Sequence, residues 1–233
     1  MGDREQEIRS RRDRPAKPAL TRQGIVDAAV RVMHAEGLDK VTMRRLATEL
    51  DTGAASLYVY VRDAAELRAA VLDELLADVD LHPIAAEGDW QNRMRLVLRS
   101  YLGVLLAHPP LARSALLTRP SGPRYLDLIE ALLALLHQAG IDDRRASWAV
   151  DLLMQSATAT GAEHTSEGED PDAAAGQFNA LVAAVDNAPP DRYPRVTALG
   201  RELFTGTGQD RVDWAFDVLL NGILATPRTD PQT

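Results

Sequence analysis

The chain of 233 residues is 45% hydrophobic and 26% charged, a composition that suits a soluble globular protein and is too apolar for intrinsic disorder. The absence of cysteine excludes disulfides, thiolate metal sites and a cysteine nucleophile, and no run approaches the roughly 18 to 20 apolar residues of a membrane helix. A formal charge of −8 opposes phosphate binding at first sight, because affinity for DNA comes largely from Lys and Arg. The charge is unevenly placed, however: residues 1–62 carry 12 basic and 9 acidic side chains, a balance of +3, and the remainder is −11. Such asymmetry points to a basic part facing an anionic partner.

Residues 1–19 alternate charges, contain Pro15 and Pro18, and read as a flexible basic arm. From Thr21, an expected N-cap, Ile25, Val26, Ala29, Val32 and Met33 recur at helical spacing until Gly37. Thr42 opens a second, short helix with Met43, Leu46, Ala47 and Leu50 on one face and Arg44, Arg45 and Glu49 on the other. Asp51, Thr52 and Gly53 form a turn into a short helix over Ala54–Tyr60, and two short helices joined this way are a helix-turn-helix pattern. Asp63 with Glu66 predicts a capping-box variant that starts a long helix through Val79, ending near His82 and Pro83.

Further helices are expected over Gln91–Ala107, Pro110–Leu117, Pro123–Ala139, Asp143–Glu163, Ala173–Asn187, Arg192–Thr205 and Asp210–Ala225. The acidic stretch Glu163–Gly176 and the proline-rich Ala188–Pro194 read as mobile connections. With no strand-type alternation, the expected fold class is all-α. An N-terminal three-helix bundle with a helix-turn-helix spans 20–66, a larger helical domain for effector binding and dimerisation spans 67–226, and 227–233 form a tail.

The run from Thr21 to Leu75 resembles the DNA-binding domain of TetR-family transcriptional regulators. The features that carry the resemblance occur in order: the helix ending at Gly37, Val41-Thr42-Met43, the Leu46-Ala47 pair, and Leu57-Tyr58 followed by Val61. More faintly, WQNRMRLVLRSYLGVLLAHPPLARSALLTRP, LDLIEALLALLHQAGI and DWAFDVLLNGILA resemble the C-terminal domain of the tetracycline-repressor branch. The resemblance implies an all-helical homodimer that binds a palindromic operator in double-stranded DNA and carries a pocket for a small effector. It departs from the family pattern at Asp51, where glycine is usual, and at Ala64, where a phosphate-binding lysine is common.

In a helix-turn-helix the second helix enters the major groove while the first crosses the backbone. Thr42, Arg44 and Arg45 are therefore candidates for phosphate contacts. Thr52, Gly53, Ala54, Ser56 and Tyr60 are candidates for base edges or nearby phosphates, with alanine offering thymine-methyl contact. The resemblance implies that Tyr58 packs in the module while its hydroxyl reaches the backbone. Arg62 and the arm arginines Arg9, Arg11, Arg12 and Arg14 are candidates to replace the lysine missing at Ala64.

In the second domain the candidate effector residues are Tyr101, Trp148, Asp151, Met154, Gln155 and Thr158, polar or aromatic groups on apolar helix faces. A carboxylate at Asp151 needs a partner or a raised pKa, and an effector carrying a cation or hydrogen-bond donor is expected to meet it. Val97 and Ala115 stand where the resemblance places tetracycline ligands, which speaks against a magnesium–tetracycline chelate. Neither metal nor cofactor is expected. Two other readings stay open, a DNA-binding architectural protein without a ligand and a small helical enzyme. Against the enzyme, His34, His82, His108, His137 and His164 are scattered, and Glu163, His164 and Glu167 read as a solvated cluster rather than a metal site. The composition points to the cytoplasm.

Overall fold

The computed structural model describes residues 19–169 and 171–228, with side chains described for 19–164 and 172–228. The arginine-rich arm and residues 229–233 lie outside the described residues. Among these residues the chain is helical throughout, without strands. The helices are α1 (Arg22–Glu36), α2 (Met43–Glu49), α3 (Ala54–Leu57), α4 (Ala64–Leu75), α5 (Trp90–Ala107), α6 (Pro109–Ala115), α7 (Pro123–Gln138), α8 (Asp143–Glu169), α9 (Pro171–Asp186), α10 (Pro194–Leu199) and α11 (Gly208–Ala225).

The caps explain most of the boundaries. Thr21, Thr42, Asp63 and Asp89 each accept a hydrogen bond from a backbone N–H of the first turn that follows, which satisfies a donor the helix cannot. At Asp63 the expected capping box is displaced by one residue: Asp63 caps the Glu66 N–H at 2.8 Å, but the Glu66 carboxylate turns back to the N–H of Arg62 at 2.9 Å. A reciprocal box forms at α11 instead, between Thr207 and Asp210.

Three expectations are corrected. The helix after Asp63 is α-helical only to Leu75, continues as a 3-10 turn over Leu76–Asp78, and is followed by another over His82–Ile84. The short helix at Ala54 ends at Leu57 rather than Tyr60, because Tyr58, Val59 and Tyr60 are weak helix formers and the chain must turn to bury Val61. The acidic stretch after Glu163 is no connection, since α8 runs on to Glu169. Gly168 alone costs a helix only about 1 kcal/mol, and Pro171 sits at the first position of α9, where a missing N–H is harmless.

Apolar residues of all but the α9–α10 segment form one continuous core, from Ile25 in α1 to Ile223 in α11. The helix α4 packs on α1 on one side and on α6 and α7 on the other, so it belongs to both modules. The central helix α8 lies against α5, α6 and α7, and comes close to α5 because Gly161 faces Leu105, where a Cβ would crowd it at 2.9 Å. A polar ladder fastens α11 to α5: Gln91 to Asn221, Arg95 to Asp217, and Arg99 to Asp213. Between α8 and α11 an open groove of about 570 Å³ is lined by Trp148, Leu152, Val218, Leu219 and Ile223.

Candidate nucleic-acid interface and effector cleft

The reading surface is built on two fully buried leucines, Leu46 of α2 and Leu57 of α3, which leave the polar positions of both helices outward. Between them the turn closes through the Thr52 N–H donating to the Ala47 carbonyl at 2.8 Å, so Thr52 is half-buried and acts in the turn. Asp51 takes φ 48°, the left-handed conformation for which glycine is usual, and aspartate is among the few other residues that tolerate it. Gly53 precedes α3 without a side-chain cap, and Ala54 is half-buried behind it.

Ser56, Tyr58, Val59 and Tyr60 are exposed together beyond that turn. Val59 is 79% exposed, an apolar side chain presented to solvent that sequence reasoning passed over because it carries no hydrogen bond. Tyr58, expected to pack within the module, is half exposed.

The two arginines of α2 have different situations. Arg45 donates to Glu36 at the end of α1 at 2.6 Å and to Glu49 one turn on at 2.9 Å. The bonds to Glu36 and Glu49 raise the Arg45 pKa, and that to Arg45 holds the Glu36 carboxyl below the usual carboxylate range. Arg45 therefore clamps α2 to α1, its guanidinium bonded to two carboxylates. Arg44 is exposed and makes no ion pair among the described residues. Arg62 is exposed, but its guanidinium bonds Glu66 at 3.0 Å. The backbone and side chain of Arg62 together hold the Glu66 pKa down.

A second site opens in the C-terminal half. Two adjoining recesses share Arg119, Pro120, Tyr125 and Met154 and form one cleft between α5, α8 and the segment from α6 to α7. The inner recess, about 70 Å³, is lined by Tyr101, Ala115, Gln155 and Thr158, and the outer one, about 360 Å³, by Ile129, Leu133, Val150 and Asp151. Of the six candidates read from sequence, Tyr101, Asp151, Met154, Gln155 and Thr158 meet at this cleft.

Trp148 does not. It faces the α8–α11 groove with the Arg228 guanidinium stacked 3.9 Å from its ring centroid. Arg119 and Tyr125 were missed, for the loop that brings them to α8 has no periodic signal.

Inside the cleft the hydrogen bonds fix the proton positions. Thr158 has one hydroxyl proton, which goes to the Met154 carbonyl at 2.7 Å because that oxygen can only accept. The Tyr101 hydroxyl, 2.8 Å from Thr158, must therefore be the donor there, and its oxygen remains an acceptor toward the inner recess. Burial pushes the Tyr101 phenol up to about 12, against a smaller opposing effect of the Thr158 bond, so it stays protonated. Burial likewise raises Tyr125, with Arg119 opposing and Asp151 reinforcing. Asp151 is not a stranded carboxylate: Arg119 bonds it at 2.7 Å and both are half exposed at the mouth. The partner expected for a carboxylate at this position is thus Arg119.

Residues 82–226 match the model of the tetracyclin repressor-like C-terminal domain, and residues 25–71 match that of the tetR family of bacterial regulatory proteins. The chain belongs to the TetR family. That family is one of bacterial regulatory proteins. This TetR-family chain is 35% identical over 133 residues to the HTH-type transcriptional repressor DrrR1 of Streptomyces coeruleorubidus, covering 57% of the chain and 49% of that protein. It therefore spans about half the length of the curated relatives it matches first.

Among solved structures, the Streptomyces protein SCO7704 is 50% identical with a TM-score of 0.79, covering 93% of this chain and all of that one. ActR of Streptomyces coelicolor, in complex with actinorhodin, is 31% identical with a TM-score of 0.76, covering 89% and 97%. No described helix is long and apolar enough to cross a membrane.

Proposed function

We propose that the chain is a cytoplasmic homodimeric repressor that binds a palindromic operator and is released from it by a small organic effector. Residues 20–66 read DNA and residues 67–226 sense the effector and dimerise, with α4 shared between them. The observation that carries the reading is the coexistence, on either side of α4, of an exposed helix-turn-helix face and a cleft walled by a buried, protonated tyrosine. ActR, of the same fold and family, binds actinorhodin, which supports an organic effector for this chain.

On this reading Arg44 and Thr42 contact phosphates, while Ser56, Tyr58, Val59 and Tyr60 meet base edges and thymine methyls. The apolar groove between α8 and α11, with Trp214 exposed beside it, is the dimer face, and a two-fold pair sets the recognition helices about 34 to 36 Å apart. The effector is mostly apolar and offers a hydrogen-bond donor to the Tyr101 oxygen. It works by favouring the DNA-incompetent dimer, and a preference of about 5.5 kcal/mol turns 1:99 into 99:1. Regulation here is by binding, without catalysis.

Selection of DNA from a random library by the purified protein is expected to return an inverted repeat with half-sites one helical turn apart. Unordered sequences, or none, would count against the proposal. On the selected DNA, Arg44→Ala should weaken binding uniformly across sequences and flatten the salt dependence by about one counterion per site.

A further inference from the structure

Besides Tyr101, two polar side chains are buried among the described residues, Asp73 and Thr158, and both lead to the cleft. Thr158 does so through Tyr101. The other, Asp73, lies on α4 and is only 7% exposed, yet no role in reading or sensing has been attached to it. Its Oδ1 accepts the backbone N–H of Tyr125 at 2.9 Å, in the first turn of α7, where helix N–H groups lack partners of their own. Gly122 lies so close to the same carboxylate that a Cβ there would collide with it, so the backbone of this turn and Asp73 are in tight contact. The Tyr125 ring, on the same residue whose amide is held, lines both recesses of the cleft.

The next residue along α4 faces the other module. Glu74 accepts a hydrogen bond from Gln23 of α1 at 3.2 Å, and about two helical turns earlier Glu66 pairs with Arg22 at 3.5 Å. Adjacent carboxylates of one helix thus hold the cleft wall and the first helix of the reading module. A small void bordered by Gln23, Asp73, Glu74 and Gly122 lies between the two grips, so the first turn of α7 has room to shift on α4.

We propose that Asp73 is the positioning residue that transmits occupancy of the cleft to the reading module. A molecule in the cleft displaces Tyr125, its amide carries Asp73 with it, and α4 passes the displacement to α1 through Glu74 and Gln23. The inference rests on the ligand-response reading above, and the coupling is required to travel through a physical element that both sites bias.

The chain contains no cysteine, so a single introduced one can be filled selectively. Gln155→Cys, which lines the inner recess, is labelled with N-(1-pyrenyl)maleimide as a defined aromatic occupant, and affinity for DNA selected by the unmodified protein is measured with and without the label. With Asp73 present, labelling should weaken DNA binding at least tenfold. In the Asp73→Ala background labelled and unlabelled proteins should bind within twofold of each other, and Asp73→Asn, which keeps an acceptor oxygen and protects against loss of the fold, should restore most of the response.

The same weakening in all three backgrounds would overturn the role of Asp73 and leave ligand response intact. A label without effect beside native Asp73 would overturn the ligand-response reading, and this inference with it.

Discussion

In α1 to α3 the polar side chains stay at the surface, where Arg45, Glu36 and Glu49 tie helices together under solvent and the interior is purely apolar around Leu46 and Leu57. In α5 to α8 the pattern is reversed, for Tyr101 and Thr158 carry their hydroxyls into the core and the cleft opens beside them. On the proposed function the difference follows from the partner. DNA is a rigid polyanion met from outside, so a sealed core and a polar face suffice. A small organic molecule must be enclosed, and its orienting groups have to be buried with it, hydrogen-bonded to one another while they wait.

The sharpest way to break this contrast is at the leucines. Leu46→Ala empties a fully buried site at a cost of about 2 to 5 kcal/mol and should unfold the reading module, abolishing DNA binding. Val59→Ala, on the exposed face, should change stability by no more than about 0.5 kcal/mol while altering DNA affinity. Equal losses of melting temperature in the two variants would show that reading and packing are not separated.

A middle-sized effect is expected in the cleft. Thr158→Val leaves the buried Tyr101 hydroxyl without its acceptor and should destabilise by about 1 to 3 kcal/mol in urea denaturation. Tyr101→Phe in the same chain should recover part of that loss, and strict additivity would mean the pair is not coupled.

The smallest effect concerns the junction between the modules, where the His34 and His108 rings lie 6.2 Å apart. Burial, and then the neighbouring His34, push the His108 pKa below its ordinary 6.5, with Asp78 opposing. Above that value both folded and unfolded states are neutral there. As pH falls below it, the unfolded chain takes up a proton that the folded chain resists, so stability declines until the folded pKa is reached. Melting temperature should drop between pH 7.5 and 5.5, and His108→Gln should flatten that drop. The carboxylates held low by their partners, Glu36, Glu66, Asp80 and Asp210, act only below their ordinary values of 4.5 and 3.8 and do not interfere.

Much of this was legible in the sequence. Caps at Thr21, Thr42 and Asp63, and the periodic apolar faces they introduce, placed the helix-turn-helix and nearly all later helices. Asp151, Met154 and Thr158 came from one helical stripe of α8, Gln155 from the stripe beside it and Tyr101 from α5, since a polar residue on an apolar face is a local signal. What stayed hidden was long-range: that Arg45 is claimed by Glu36, nine positions away, that Arg119 answers Asp151 across a loop, and that Trp148 looks the other way. Exposed Val59 escaped because a search for hydrogen-bonding groups passes over an apolar side chain. The acidic run after Glu163 misled because charge suggests a loop, whereas a helix ends only where something breaks it.

The ladder from α5 to α11 has a consequence for how such proteins diverge. Because Gln91, Arg95 and Arg99 hold one edge of α11 through Asn221, Asp217 and Asp213, the attachment of that helix to its own subunit does not depend on its opposite, apolar edge. Trp214 and Val218, exposed on α11, take no part in that ladder. On the proposed dimer, duplicated copies in one cell can drift there into separate pairing preferences, each subunit learning to refuse its sibling while its fold is left untouched.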